Sequence, residues 1–249
     1  MAAVAPFHPA RSRQELIQAL EGTAGLRRAH SLPASLCPSP SGIPELDALL
    51  GGGLPRGRIT EISGPRSTGR TGLALSAATA ATDRGEVAAW IDLADALCPA
   101  AAAASGMDLS RLLWARVLTP RQALLAADRV LAAGGFGLVV LDLEAEGPGG
   151  PGAGPRWSAG LRGTSPWVRL CRGVEKAGAV LLLLGRTRRR AGTFSALSLR
   201  AERVRTRWQD RDRREPRLLL GVQGRITVAR NRGGPEGGVV EVEWGIGEG

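Results

Sequence analysis

The sequence is poor in cysteine, histidine and lysine and holds no long apolar run. Three cysteines, Cys37, Cys98 and Cys171, stand far apart without a C-x-x-C pair. That usage excludes a disulfide framework and fits reduced thiols. The two histidines, His8 and His30, both lie near the start, so no zinc constellation can be assembled. The longest apolar run, "AVLLLL" at 179–184, is far shorter than the roughly 20 residues that cross a bilayer. No membrane span or membrane partner is expected. The opening "MAAVAPFHPARSRQ" lacks a charged n-region followed by an apolar h-region, which argues against a secretory signal and for a cytoplasmic protein.

What is present suits a globular protein. The 249 residues are 43% hydrophobic, enough for one α/β domain with an appendage. The net charge is +10, and Lys176 is the single lysine among 33 basic residues. Residues 186–232 hold 15 arginines against four acids (Glu202, Asp210, Asp212, Glu215), leaving 18 basic and 19 acidic residues elsewhere. An arginine-rich composition explains the choice of arginine over lysine. It does not explain placing the whole excess in one fifth of the chain. The segment reads as a surface for phosphate backbones or for an acidic protein.

Along the chain, Ser12-Arg13-Gln14-Glu15 forms a capping box ahead of "LIQAL", which predicts a helix over about 13–21. A Pro/Ser-rich connector follows through Pro40, so residues 1–40 form an arm and 41–249 the main domain. From Arg58, short β-like runs alternate with helical ones: "RITEI", a helix to Asp83, "VAAWID", an Ala-rich helix, "LLWARV", a helix from Pro120 to Ala133, "GLVVLDL", a helix from Ser165-Pro166 to Ala177, and "GAVLLLLG". This order predicts an α/β fold with a mainly parallel central sheet and helices on both faces. The tail runs "ALSLRAERVRTRW", "EPRLLLGV", "GRITVARN" and "GGVVEVEW" predict antiparallel C-terminal strands. Nine of the fourteen residues from 147 to 160 are Gly or Pro, which reads as a loop. Arg156, Trp157 and Arg162 leave open a DNA or partner contact there.

The stretch "EISGPRSTGRTGL" at 61–73 carries the chemistry. It fits the phosphate-binding template G-x-x-x-x-G-K-[ST] at Gly64, Gly69 and Thr71, with Pro65, Arg66, Ser67 and Thr68 between, and departs from it at Arg70. Such a loop lets successive backbone N–H groups face phosphate oxygens while the next helix adds its positive end. Thr71 could ligate magnesium, and Asp142, closing "LVVLD", could hold the hydrated ion. Lysine is a compact point charge and arginine a longer planar fork, so Arg70 puts the loop's use in question.

"SGIPELDALLGGGLPRGRITEISGPRSTGRT" resembles the entry to the RecA core, and "AAWIDLADAL" and "VARNRGGP" resemble two further RecA stretches. The resemblance runs from about Ser41 to the C-terminus and implies a RecA-like core. It also implies a DNA loop after Asp142, a second one at Arg186, Arg188, Arg189 and Arg190, and an interface at Arg230, Asn231 and Arg232 facing a neighbour's nucleotide. Departures accompany it: Ala94 stands where RecA has its catalytic glutamate, with Asp95 one place late. Gly185-Arg186 replaces an Asn-Gln pair, and RecA's separate C-terminal domain is missing. The pattern is similar to that of the degenerate RecA relatives called ImuA. That similarity implies a catalytically silent accessory protein in damage-induced translesion synthesis. It is expected to be no enzyme and to have no cofactor beyond residual ATP and magnesium binding. Its expected partners are DNA, in single-stranded form, and a translesion polymerase component or RecA. The alternative is a functional RecA-like DNA-dependent ATPase or recombinase in which Arg70 and Asp95 serve.

Overall fold

A computed structural model of the chain describes residues 37–93, 95–143, 165–186, 192–208 and 219–245. The expected helix over 13–21, Ala94, the Gly/Pro-rich segment, and Arg188, Arg189 and Arg190 lie outside them.

Eight strands form one sheet in the order β3-β2-β4-β5-β1-β6-β7-β8. They are β1 (Arg58–Ser63), β2 (Val87–Asp92), β3 (Leu112–Arg116), β4 (Phe136–Asp142), β5 (Val180–Gly185), β6 (Ser195–Trp208), β7 (Leu219–Asn231) and β8 (Val239–Gly245). The first six pair in parallel, and β6–β7–β8 pair antiparallel. The helices are α1 (Pro44–Leu50), α2 (Arg70–Asp83), α3 (Pro99–Ala104), α4 (Pro120–Ala133) and α5 (Ser165–Ala177).

Continuous apolar runs make the central strands because both faces are covered. In β5, all six positions are buried. Leu182 and Leu184 join a cluster with Leu73, Ala74, Ala77 and Ala78 of α2. Leu181 and Leu183 face the other way, toward Leu124, Ala127 and Leu131 of α4 and Leu170 and Val174 of α5. Helix α4 starts where its capping chemistry dictates. Thr119 Oγ1 accepts from the Gln122 N–H at 3.2 Å, Gln122 Oε1 accepts from the Thr119 N–H at 3.2 Å, and Pro120 fills the first helical position,.

Two details add to the expected order and a third corrects it. Residues 44–50 form a helix with Pro44 at its first turn and Gly51 at φ 73° closing it. The Ala-rich helix is six residues long, Pro99–Ala104. The runs read as two strands at "EPRLLLGV" and "GRITVARN" share one strand, β7. Gly221 and Gly224 are places of close approach inside this continuous strand,. The end of the Pro/Ser-rich connector also packs on the core. Ser39 and Leu54 exchange backbone hydrogen bonds of 2.8 and 2.7 Å, and Ser39 is buried. Among the described residues no helix is long and apolar enough to cross a membrane.

Candidate nucleotide site and arginine face

The loop between β1 and α2 leaves the carboxyl end of a central strand, where parallel sheets place their ligands. Its backbone has the turns a phosphate cradle needs: Ser67 at φ 56° and Gly69 at φ 85°, just ahead of the helix beginning at Arg70. Thr68 Oγ1 donates to the Pro65 carbonyl at 2.8 Å and closes the turn from inside. The Gly64 N–H donates to the Gly185 carbonyl at 3.2 Å, which ties the start of the loop to the end of β5. A side chain at Gly64 would run into the Ala201 carbonyl of β6. Pro65, Arg66, Ser67 and Thr71 are exposed at the rim, whereas Thr68 and Arg70 are buried. Arg70, 7% exposed, opens helix α2 directly after Gly69.

Asp142 ends β4, 6% exposed, in register with Asp92 on β2 and Leu184 on β5. Together with the P-loop, it occupies the carboxyl end of the parallel strands. Asp92 is fully buried and does structural work. Its carboxylate accepts from the backbone of Ala96 (3.1 Å) and Leu97 (2.9 Å) and from the Trp114 indole (3.2 Å). Sequence reading missed it; an aspartate at a strand end, whose side chain can accept from backbone N–H groups a few residues on, is the available signal for such local capping. Asp95, at φ 54°, turns outward to pair with Arg116 on β3 at 3.4 Å, and Arg116 stacks over Trp114. Trp90 is core, as its place in β2 suggested, whereas Trp114 is half-buried.

The other predicted positions fall in two places. Arg186 is exposed directly after Gly185, beside the P-loop. Arg230, Asn231 and Arg232 close β7 at the other end of the sheet, where Asn231 pairs with Leu197 and β6 runs beside the start of β1. There the Arg232 guanidinium donates to the Thr193 carbonyl, and the Asn231 N–H donates to Glu236 Oε1 at 3.1 Å. The single chain therefore does not bring these three to its own cradle.

Strands β6 and β7 continue well past the P-loop: Ser63 is level with Arg200, and the pairing runs on to Trp208 and Leu219. A register shift between Arg203 and Arg205 turns Arg205 and Arg207 onto the outer face with Arg200, as a bulge does. The outer face is less basic than the sequence count implies. Glu243 and Glu241 of β8, beyond the counted window, pair with Arg207 (2.6 Å) and Arg225 (2.9 Å), and Arg200 pairs with Glu202 (2.9 Å). Among the described residues Arg203 and Arg205 have no ion pair and stand exposed.

A P-loop leaving β1 of a largely parallel sheet, with buried carboxylates at the neighbouring strand ends, is an α/β P-loop arrangement. The chain is RecA-like. Residues 29–147 match the RecA N-terminal domain. It is 41% identical to Protein RecA of Lactobacillus delbrueckii subsp. bulgaricus over 120 residues, 48% of this chain and 36% of that one. Protein RecA of Crocosphaera subtropica is 30% identical over 226 residues, 82% of this chain and 63% of that one. A crystal structure of the RadB recombinase shares the fold, with a TM-score of 0.59 at 18% identity over 82% of this chain and 94% of that one. The match spans about a third of the length of the first RecA relatives. The sequence relatives overturn the expectation that the chain is not an enzyme: proteins named RecA point to one. That expectation weighed Arg70, Ala94 and Gly185-Arg186 together as losses. Departures from a template do not by themselves establish loss of activity.

Proposed function

We propose that the chain is a nucleotide-dependent, DNA-binding RecA-like enzyme of DNA repair, a DNA-dependent ATPase. The observation that supports this best is the formed cradle, Gly64 to Thr71, on a strand tied into the sheet on both sides. In this reading the amides of Gly64 to Gly69 hold the phosphates, the Arg70 guanidinium adds charge, and Thr71 and Asp142 hold magnesium directly and through water. The bound ion would neutralise charge on the transferred phosphoryl group. Single-stranded DNA would meet Arg186, Arg188, Arg189 and Arg190 and the exposed Arg203 and Arg205. Arg230, Asn231 and Arg232, remote from the chain's own cradle, suit a contact made to a neighbouring molecule. The setting in this reading is damage-induced translesion synthesis, with a polymerase component or RecA as protein partner. The support is Gly185 followed by exposed Arg186 where RecA carries its Asn-Gln pair.

The test is ATP turnover with and without single-stranded DNA, beside direct ATP binding. Turnover stimulated by DNA and lost in Thr71→Ala is expected. Absence of both nucleotide binding and turnover in the parent chain would sink the reading. Co-purification with a polymerase component or with RecA decides the protein partner.

A further inference from the structure

The half-buried indole of Trp244, on β8, sits in a slot made by three glycines from two distant parts of the chain. A Cβ on Gly69 would overlap its six-membered ring. One on Gly72 would lie 2.7 Å from Cδ1 and Nε1, and one on Gly224 2.5 Å from Cζ3. Gly69 caps α2 at φ 85° and Gly72 lies in that helix's first turn, so the ring rests on the backbone that ends the phosphate cradle. The fit is close enough that no larger residue could stand at any of the three positions without moving the ring. Nothing in the P-loop template asks for glycine at position 72; the indole does. Trp244 Nε1 is buried there and donates to no group among the described residues. The ring is thus held by shape, not by a polar anchor.

The opposite side of the same element carries charge. Trp244 pairs with Val222 on β7, and Val222 with Thr206 on β6. Thr206 lies between Arg205 and Arg207 on the outer face. One cross-strand row therefore runs from the foot of the cradle to the arginine face, and alternation along each strand puts the two functions on opposite faces of one thin ribbon.

We infer that Trp244 is a positioning residue that couples the phosphate cradle to the arginine face. Nucleotide occupancy and DNA affinity are then linked through this ring; this rests on the nucleotide- and DNA-binding reading above. Phosphate binding draws the Gly69 and Gly72 backbone to one position, the ring follows the slot, and the ribbon carrying Arg205 and Arg207 follows the ring. Linkage requires the reciprocal effect, DNA tightening nucleotide, by the same factor.

The experiment uses the full chain, its Trp244→Ala and Trp244→Phe variants, magnesium with ADP or a slowly hydrolysed ATP analogue, and a fluorescent oligothymidylate. The first measurement is amide hydrogen exchange without ligand. In Trp244→Ala, exchange across 64–72 should rise at least about fivefold while that of β4 and β5 stays at the parent level, and Trp244→Phe should restore most of the protection. The second is the ratio of DNA affinities with and without nucleotide. The parent should show a ratio of about 5 or more, Trp244→Ala a ratio near one, and Trp244→Phe an intermediate value. Unchanged exchange across 64–72 in Trp244→Ala, or a ratio in Trp244→Ala equal to the parent's, overturns the proposal. Failure of the parent to bind nucleotide in a separate calorimetric titration defeats the functional reading and the linkage, and is told apart by the exchange data, which then decide the positioning role alone.

Discussion

The two halves of the sheet use their residues differently. From β3 to β1 the strands are parallel, β4 and β5 are almost wholly apolar, and Val180, Leu181, Leu182 and Leu183 show no exposure at all. In β6, β7 and β8 the strands alternate, with Ile226, Val228 and Val240 inward and Arg225, Glu241 and Glu243 outward. The parallel half fixes a backbone trajectory by burial, which is what a cradle of amides needs. The antiparallel half spends one face on that same core and offers the other to charged partners. Stability should therefore reside in the first half, and ionic-strength-dependent behaviour in the second.

The sharpest way to break this contrast is to truncate a central strand. Leu182→Ala should cost about 2–5 kcal/mol in denaturant unfolding. A comparable truncation on the outer ribbon, Val239→Ala, should cost less than about 0.5 kcal/mol, since Val239 is 52% exposed,. Equal costs would erase the distinction. Next is Asp92→Ala, which leaves the Ala96 and Leu97 amides and the Trp114 indole without their acceptor. A loss of about 2–3 kcal/mol is expected, with ATP binding reduced only insofar as the 93–97 turn moves.

Smaller in stability, and telling for the ribbon, is the double change Arg203→Ala with Arg205→Ala. Folding should shift by less than about 1 kcal/mol, while the slope of log affinity for DNA against log salt should fall by roughly 1–2. Glu243→Gln should move the other way. It releases Arg207 from its 2.6 Å ion pair and should tighten DNA binding modestly at low salt. An unchanged slope in the double variant places DNA elsewhere. The smallest effect concerns Cys171, whose thiol is pushed up by burial against the opposing pull of Arg232 and Arg58. A raised thiol value means less thiolate at any pH below it. At pH 8, Cys171 should therefore be alkylated after the exposed Cys37 and Cys98, as mass spectrometry of timed samples would show.

Most of the parallel half was legible in the residues. Its innermost strands, β4 and β5, are Val and Leu runs, and Thr119-Pro120 with Gln122 marks a helix start by chemistry confined to four residues. The P-loop was legible for the same local reason. What could not be seen depends on contacts across long stretches of chain. Gly221 and Gly224 look like turn signals until Trp244 is known to lie over Gly224. The arginine excess was counted from Arg186 to Arg232, and nothing in that window shows that Glu241 and Glu243 return to neutralise part of it. Asp95 looked like a displaced catalytic acid because spacing alone cannot tell which way a side chain turns. Its left-handed backbone and its pairing with Arg116 direct it to the outer strand.

The stitching of the cradle also sets a clock. The Gly64 amide is held by Gly185 and the Ser63 hydroxyl by the Leu199 carbonyl, 136 residues downstream. Strand β1 emerges from the ribosome early and waits for both of its neighbours in the sheet, β5 and β6, to be made. At ordinary elongation rates that interval is on the order of 10 s, during which "RITEIS" has two unpaired edges and the loop has no fixed shape. Nascent chains arrested before β6 should therefore be protease-sensitive at the P-loop and prone to associate through β1. Those arrested after β7 should not.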